Sequence, residues 1–129
     1  MKEEIKFSLK KLKDAFSRLE ESAEIASSEL EKDGVIQRFE FTFELLWKAL
    51  KIFLEKEGII CKTPRECLKQ AFKINWINDE KTFLNMLEDR NETSHIYDKA
   101  TAEKIFGRIK GKYVGAIEKV VEKLEESQE

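Results

Sequence analysis

Glycine and proline are scarce in this chain, with five of the first and only Pro64 of the second among 129 residues. Sheet proteins need such residues at their hairpins and bulges, so the shortage argues for helices. His95 is the single histidine, which excludes catalysis through several histidine-held metal ions within one subunit. There is no glycine-rich phosphate loop, no His-Glu-x-x-His helix and no Gly-x-Ser-x-Gly elbow, so those three routes to hydrolysis are closed. The expectation is a protein without cofactor or metal. Two cysteines, Cys61 and Cys67, have neither a second pair nor a nearby histidine to complete a zinc set, and they read as reduced thiols. No run approaches the roughly 20 apolar residues needed to span a bilayer, and Met1-Lys2-Glu3-Glu4-Ile5-Lys6 lacks the apolar core of a secretory signal. A cytoplasmic protein without membrane contact is expected. Charge of one sign is missing too: 24 Lys and Arg face 26 Asp and Glu, for a formal −2. With no global positive field, any nucleic-acid contact must be local.

What is present is apolar residues at helical spacing. Ile5, Leu9, Leu12, Phe16, Leu19, Ala23, Ala26 and Leu30 alternate steps of four and three, predicting one long amphipathic helix that ends near Lys32-Asp33-Gly34. Lysines 2, 6, 10 and 13 share a flank of it and read as a solvated face. A second helix is expected from after Asp33 to Gly58, a C-terminal cap, with Ile36, Phe39, Phe43, Leu46, Trp47, Leu50 and Phe53 in one stripe. Phe41, Leu45 and Ile52 project from its other side, so this helix is either central in a bundle or part of a dimer interface. Thr63-Pro64-Arg65-Glu66 is a helix start, with Thr as cap, Pro at the first position and Glu three after the cap. A short helix through Cys67, Leu68, Ala71 and Phe72 follows. Another begins near Asp79 and carries Phe83, Leu84, Met86 and Leu87 towards Arg90, where the pattern stops. The last helix starts between Asp98 and Thr101 and directs Ala102, Ile105, Phe106, Ile109, Tyr113, Ile117, Val120 and Leu124 inward, before a tail from Glu125 that frays. With no repeat, linker or low-complexity tract, one domain over residues 1–129 is expected.

The densest polar cluster outside the helix faces is Asp89-Arg90-Asn91-Glu92-Thr93-Ser94-His95-Ile96-Tyr97-Asp98. Arginine offers a planar fork of donors suited to phosphate, and histidine gives and takes a proton near neutral pH. The pair suits phosphodiester chemistry. On an uninterrupted helix residues five apart point about 140° away from each other, so Arg90 and His95 converge only if the helix ends between them or a second subunit contributes. The ordinary alternative stands beside this: a lone histidine in an inter-helix loop as a cap or surface residue, and Arg90 paired with Glu92 or the helix C-terminus.

At these residues the chain resembles the HEPN family, whose motif of Arg, a polar residue, a few variable positions and His is matched by Arg90, Asn91 and His95. Tyr97, two after the histidine, resembles the HEPN toxins paired with minimal nucleotidyltransferase antitoxins. The block Gln37-Arg38-Phe39-Glu40-Phe41-Thr42-Phe43-Glu44-Leu45-Leu46-Trp47-Lys48, with Pro64-Arg65 and Lys69-Gln70-Ala71-Phe72, resembles the branch called nucleotidyltransferase substrate-binding proteins. The likeness covers about Asp33 to Tyr113. It implies an all-α, up-and-down four-helix bundle with an additional short helix, forming two-fold homodimers with both motifs beside a shared cleft.

For function, the resemblance implies a metal-independent endoribonuclease in which His95 transfers a proton, Arg90 stabilises phosphate charge and Asn91 orients it, with the substrate's own 2′-hydroxyl as attacking group. Tyr97 would be the acceptor that a separately encoded minimal nucleotidyltransferase modifies with AMP, silencing the site. From sequence alone Tyr97 is equally a packed aromatic at a helix start. RNA would be the substrate, gripped by a local patch of Lys99, Lys104, Arg108, Lys110 and Lys112, although these also suit a solvated face. The alternative is a non-catalytic substrate-binding subunit of a two-component nucleotidyltransferase; the third is a structural module in which Arg90 and His95 set dimer geometry. The chain itself cannot be the transferase, because it lacks a Gly-Ser motif followed by paired acidic metal ligands.

Overall fold

The computed structural model describes residues 2–93 and 98–128. It is an all-α bundle: α1 Lys2–Ile25, α2 Glu29–Lys56, α3 Pro64–Lys73, α4 Glu80–Thr93 and a last helix, α5, over residues 99–126. Four helices run up and down, and the short α3 is the addition. α2 packs against each of the other four, which answers why it is apolar on more than one side. Leu45 and Ile52 lean on the core, while Phe41 stays 61% exposed.

The first two helices divide earlier than the apolar spacing predicts. Leu30 continues the seam of α1 in sequence, yet it is 81% exposed and belongs to α2. Hydrogen bonding at the serines decides the boundary. The Ser28 hydroxyl accepts from the Glu31 amide at 3.1 Å, and the Glu31 carboxylate accepts from the Ser28 amide at 2.9 Å and the Ser27 amide at 3.0 Å. This reciprocal cap satisfies amides that the start of a new helix leaves without a carbonyl one turn earlier. Those backbone amides pull the Glu31 carboxyl down to about 2. Gly34 consequently lies inside α2 rather than ending α1.

Other boundaries follow their local chemistry. Gly58, at φ 81°, closes α2 with the Ile59 amide donating to the Leu54 carbonyl and its own amide to Glu55, a six-to-one and five-to-two closure that favours glycine. The Thr63 hydroxyl accepts from the Glu66 amide as the sequence predicts, with Pro64 opening α3. Asn75, at φ 66°, ends α3 in the same manner as Gly58. Asp79 caps α4 by accepting from both the Thr82 amide and hydroxyl, and Asp98 caps α5 through the same two groups of Thr101.

Three further expectations are corrected. Cys61 and Cys67 are joined in a disulfide, not reduced, because the chain reverses into the first turn of α3 and brings their Cα atoms to 5.3 Å. The pattern that stops at Arg90 does not end the helix: α4 continues through Asn91 to Thr93. The last helix holds to Glu126, with Glu125 paired to Lys13 of α1 at 2.6 Å, so fraying does not begin at Glu125.

The core is continuous. Leu12 and Leu19 of α1 meet Phe39, Phe43, Leu46 and Leu50 of α2, with Phe83 and Met86 of α4 and Ile109, Tyr113 and Ile117 of α5 closing around them. The Phe39 ring stacks on Tyr113 at 5.4 Å between centroids. Burying each such large apolar side chain contributes roughly 1.5–3 kcal/mol before entropy is counted. Among the described residues no helix is long and apolar enough to cross a membrane.

Candidate functional site

The last turns of α4 carry Asp89, Arg90 and Asn91, and successive side chains on a helix diverge by about 100°. Asp89 therefore faces α5 while Arg90 faces α2. The Arg90 guanidinium forms an ion pair with the Glu44 carboxylate of α2, and it donates to the Asn91 side-chain oxygen at 3.1 Å. Both partners of the ion pair are 29% exposed at the side chain. Glu44 also accepts from the Trp47 indole at 3.2 Å and has the Lys48 ammonium at 3.8 Å. Arg90 is thus a half-buried cation reached from solvent on one side and held by a carboxylate on the other.

This contact joins two stretches that the sequence shows only as separate blocks, the Phe43-Glu44-Leu45-Leu46-Trp47 run and the Arg90-Asn91 pair. The structure brings Arg90 and Asn91 together, and Asn91 lies in the helix rather than in a loop. His95 and Tyr97 lie outside the described residues. The alternative of an Arg90–Glu92 pair gives way to Arg90–Glu44, since Glu44 reaches the guanidinium from a helix packed alongside.

On the other side of α4, the Asp89 carboxylate is only 7% exposed as a residue. It accepts two bonds from Arg108 of α5, from Nε and Nη2 at 2.8 Å each, and a third from the Tyr113 hydroxyl at 2.5 Å. Burial, then the hydrogen bond to Asp89, push the Tyr113 hydroxyl upward, so it remains a donor. The bond from Arg108 to Asp89 likewise raises the guanidinium. α5 makes room for this arrangement by a π turn over Ile109–Tyr113, in which the Val114 amide donates to the Ile109 carbonyl.

The expected basic patch is divided. Arg108 is committed to Asp89, and Lys99 lies 3.9 Å from Glu29, while Lys104, Lys110 and Lys112 stay exposed. A groove of about 410 Å³ lies between the start of α4 and the later turns of α5, where Trp76 and Phe83 face Gly111, Gly115 and Lys119. Arg90 and Asn91 do not line it. Among the described residues no three His, Cys, Asp or Glu side chains are grouped to hold a metal ion.

Glu44 and Tyr113 are not legible in the sequence as site residues, and Asp89 is legible only as the first residue of the polar cluster. The signal for Glu44 is slight: it is an acid between Phe43, which is buried, and Leu45, which is partly buried. Nothing comparable marks Tyr113, which fits the apolar stripe.

Residues 7–126 match the family described as nucleotidyltransferase substrate binding protein like. The chain is 31% identical over 81 residues to a probable ribonuclease HepT from Haemophilus influenzae, an alignment covering 59% of this chain and 56% of that protein. The chain therefore spans little more than half the length of that relative. Its fold superposes on a crystal structure of a protein from Thermus thermophilus with a TM-score of 0.81 and 36% identity, covering 88% of this chain and 98% of the other. A Haemophilus influenzae structure, described as revealing the fold of a substrate binding domain of a nucleotidyltransferase, gives a TM-score of 0.79 at 25% identity, with 91% and 98% covered. The family match spans nearly the whole bundle, Glu44 and Arg90 included, and the chain belongs to the HEPN, or nucleotidyltransferase substrate-binding, family.

Proposed function

We propose that this protein is a metal-independent endoribonuclease of the HEPN toxin type, controlled by a partner minimal nucleotidyltransferase. The observation that carries the reading is Arg90: a half-buried guanidinium oriented by Glu44 and Asn91, five residues before the only histidine of the chain. A surface arginine serving solubility has no need of such a cradle, whereas a phosphate clamp needs its fork held in place. The identity to a probable ribonuclease HepT supports the same class.

In this reading a phosphodiester joins or displaces Glu44 at Arg90. The substrate's 2′-hydroxyl attacks phosphorus, forming the P–O2′ bond and breaking P–O5′, so that the products are a 2′,3′-cyclic phosphate and a free 5′-hydroxyl. The proton lost from the 2′-oxygen and the proton gained by the 5′-oxygen pass through His95 and solvent. Arg90 offsets the charge that builds on the non-bridging oxygens, and Asn91 fixes the fork. A homodimer formed across the exposed Phe41 face of α2 would set two such sites beside one cleft and pool the exposed Lys104, Lys110 and Lys112 of both copies. Tyr97 is the residue on which the partner would place AMP.

A second reading, a non-catalytic subunit that presents substrate to a nucleotidyltransferase, is favoured by the description of the Haemophilus neighbour as a substrate binding domain. Purified protein incubated with total RNA and tRNA in chelator separates the two. Cleavage that disappears in His95→Ala and Arg90→Ala, both still folded and of unchanged oligomeric state, establishes the ribonuclease. Silence from wild type shown by mass spectrometry to lack AMP on Tyr97 establishes the binding subunit.

A further inference from the structure

Arg108 and Tyr113 lie at either end of the π turn in α5. In an unbroken α-helix residues five apart diverge by about 140°, and no single carboxylate would meet both. The π turn accommodates one extra residue through its five-residue hydrogen bond, from the Val114 amide to the Ile109 carbonyl. That local rewinding brings the Arg108 guanidinium and the Tyr113 hydroxyl onto Asp89 together. Such turns are rare and are frequently found at functional sites.

Asp89 immediately precedes Arg90. With three hydrogen bonds from α5 the Asp89 carboxylate is fixed in azimuth and height, and the rotational phase of the last turns of α4 is fixed with it. Arg90 then leaves the helix about 100° away, toward Glu44 on α2. Tyr113 is itself clamped by the Phe39 ring of α2, so α2 and α5 are tied to each other through the same aromatic. The lock and the cation's cradle are thus two sides of one helix turn.

We propose that Asp89, Arg108 and Tyr113 are positioning residues for Arg90: they touch no substrate and act by setting where its guanidinium stands. The inference rests on the ribonuclease reading for its kinetic consequence and on geometry alone for its structural one. A misplacement of the reactive group by about an ångström can cost a hundredfold in rate. Tyr113→Phe, which keeps the ring and removes only the hydroxyl, should therefore lower kcat about tenfold with KM unchanged.

The test is a double-mutant cycle with an activity-free companion. Single-turnover RNA cleavage is measured for wild type, Tyr113→Phe, Arg90→Ala and the double variant, with Asp89→Asn as a second lesion in the lock. Each is first checked for a cooperative thermal transition. If the lock acts through Arg90, Tyr113→Phe costs nothing further once Arg90 is alanine. Fully multiplicative losses, or a change in KM with kcat intact, overturn the proposal. In the same proteins, without RNA, the ¹⁵N-labelled Nε–H signal of Arg90, assigned by its loss in Arg90→Ala, should move in Tyr113→Phe and Asp89→Asn. A signal that stays in place overturns the positioning role even if cleavage falls. If wild type cleaves no RNA, the ribonuclease reading fails and the Arg90 signal alone decides the lock.

Discussion

Asp89 and Arg90 are neighbours in sequence and differ in almost everything around them. Asp89 is closed in: a buried carboxylate whose oxygens are occupied by a guanidinium and a phenol from one helix. Arg90 is partly exposed, its charge met by a carboxylate that is itself partly exposed and shared with Trp47 and Lys48. One peptide unit turns the chain from a buried network to a partly exposed one. Saturation marks a residue that holds the fold, and partial exposure of an oriented charge marks one that can trade partners.

That contrast can be broken at either residue. Arg90→Ala should reduce RNA cleavage by roughly 10²–10³, the usual range for one preorganised charge-stabilising donor, while the thermal midpoint falls only slightly, because the Glu44 carboxylate keeps the Trp47 indole and Lys48. Parallel cleavage assays and thermal melts check the pair of outcomes. Asp89→Ala should lower stability outright, and cleavage with it through the lost placement of Arg90. It leaves the Tyr113 hydroxyl buried without an acceptor and Arg108 without its carboxylate, a loss of about 2–3 kcal/mol. The figure is held below the cost of breaking a fully buried pair because the Arg108 side chain is 43% exposed. Urea unfolding followed by circular dichroism measures it, with the slope expected to stay that of wild type.

Glu44→Gln sharpens the comparison from the α2 side. The amide keeps the shape and can still accept from the Trp47 indole, but it no longer balances the charge of Arg90. Cleavage should fall about tenfold through lost orientation of the fork, with little change in stability because the pair is partly solvated. Emission from Trp47, read in a Trp76→Phe background so that only one indole reports, should shift with the substitution. A rate that rises instead would make Glu44 a competitor of the phosphate rather than its usher.

The sequence exposed this architecture unevenly, and the reasons are physical. Periodicity reports which side of a helix is apolar, so the stripes of α2 and α5, the Thr63-Pro64 start and the Gly58 end were all legible. It cannot report a cap that falls in phase with a stripe: Leu30 extended the α1 seam while Ser28 and Glu31 were already starting α2. Nor does it register the π turn, because Tyr113 points inward whether or not a residue is inserted before Val114. The last turns of α4 looked like loop because their partners are polar groups on other helices, Glu44 and Arg108, rather than a hydrophobic floor. Arg90 stood out as a candidate by residue type and Asn91 through the resemblance, while the contact of Arg90 with Glu44 was not legible, since it depends on which helices pack side by side.

A third kind of carboxylate completes the comparison and carries the smallest effect. Glu31 is exposed, yet backbone amides of Ser28 and Ser27 hold it at about 2 against an ordinary 4.5. Its folded value is depressed, so its contribution to stability is present above pH 4.5 and is lost as pH falls from there through about 2. Asp79 and Asp98 are lowered in the same direction by Thr82 and Thr101, and theirs is lost below 3.8. Acid should therefore loosen the starts of α2, α4 and α5, and the earliest part of that loss, just below pH 4.5, belongs to Glu31. Glu31→Gln should remove this early part from a plot of unfolding free energy against pH while leaving the later fall in place. The variant keeps a side chain that can still accept from both amides, so its stability near pH 2 should match that of wild type. Coincident curves from pH 5 to 2 would instead mean that the cap is no tighter folded than unfolded, and that the turn between α1 and α2 is set by the packing of Val35 and Ile36 rather than by its charges.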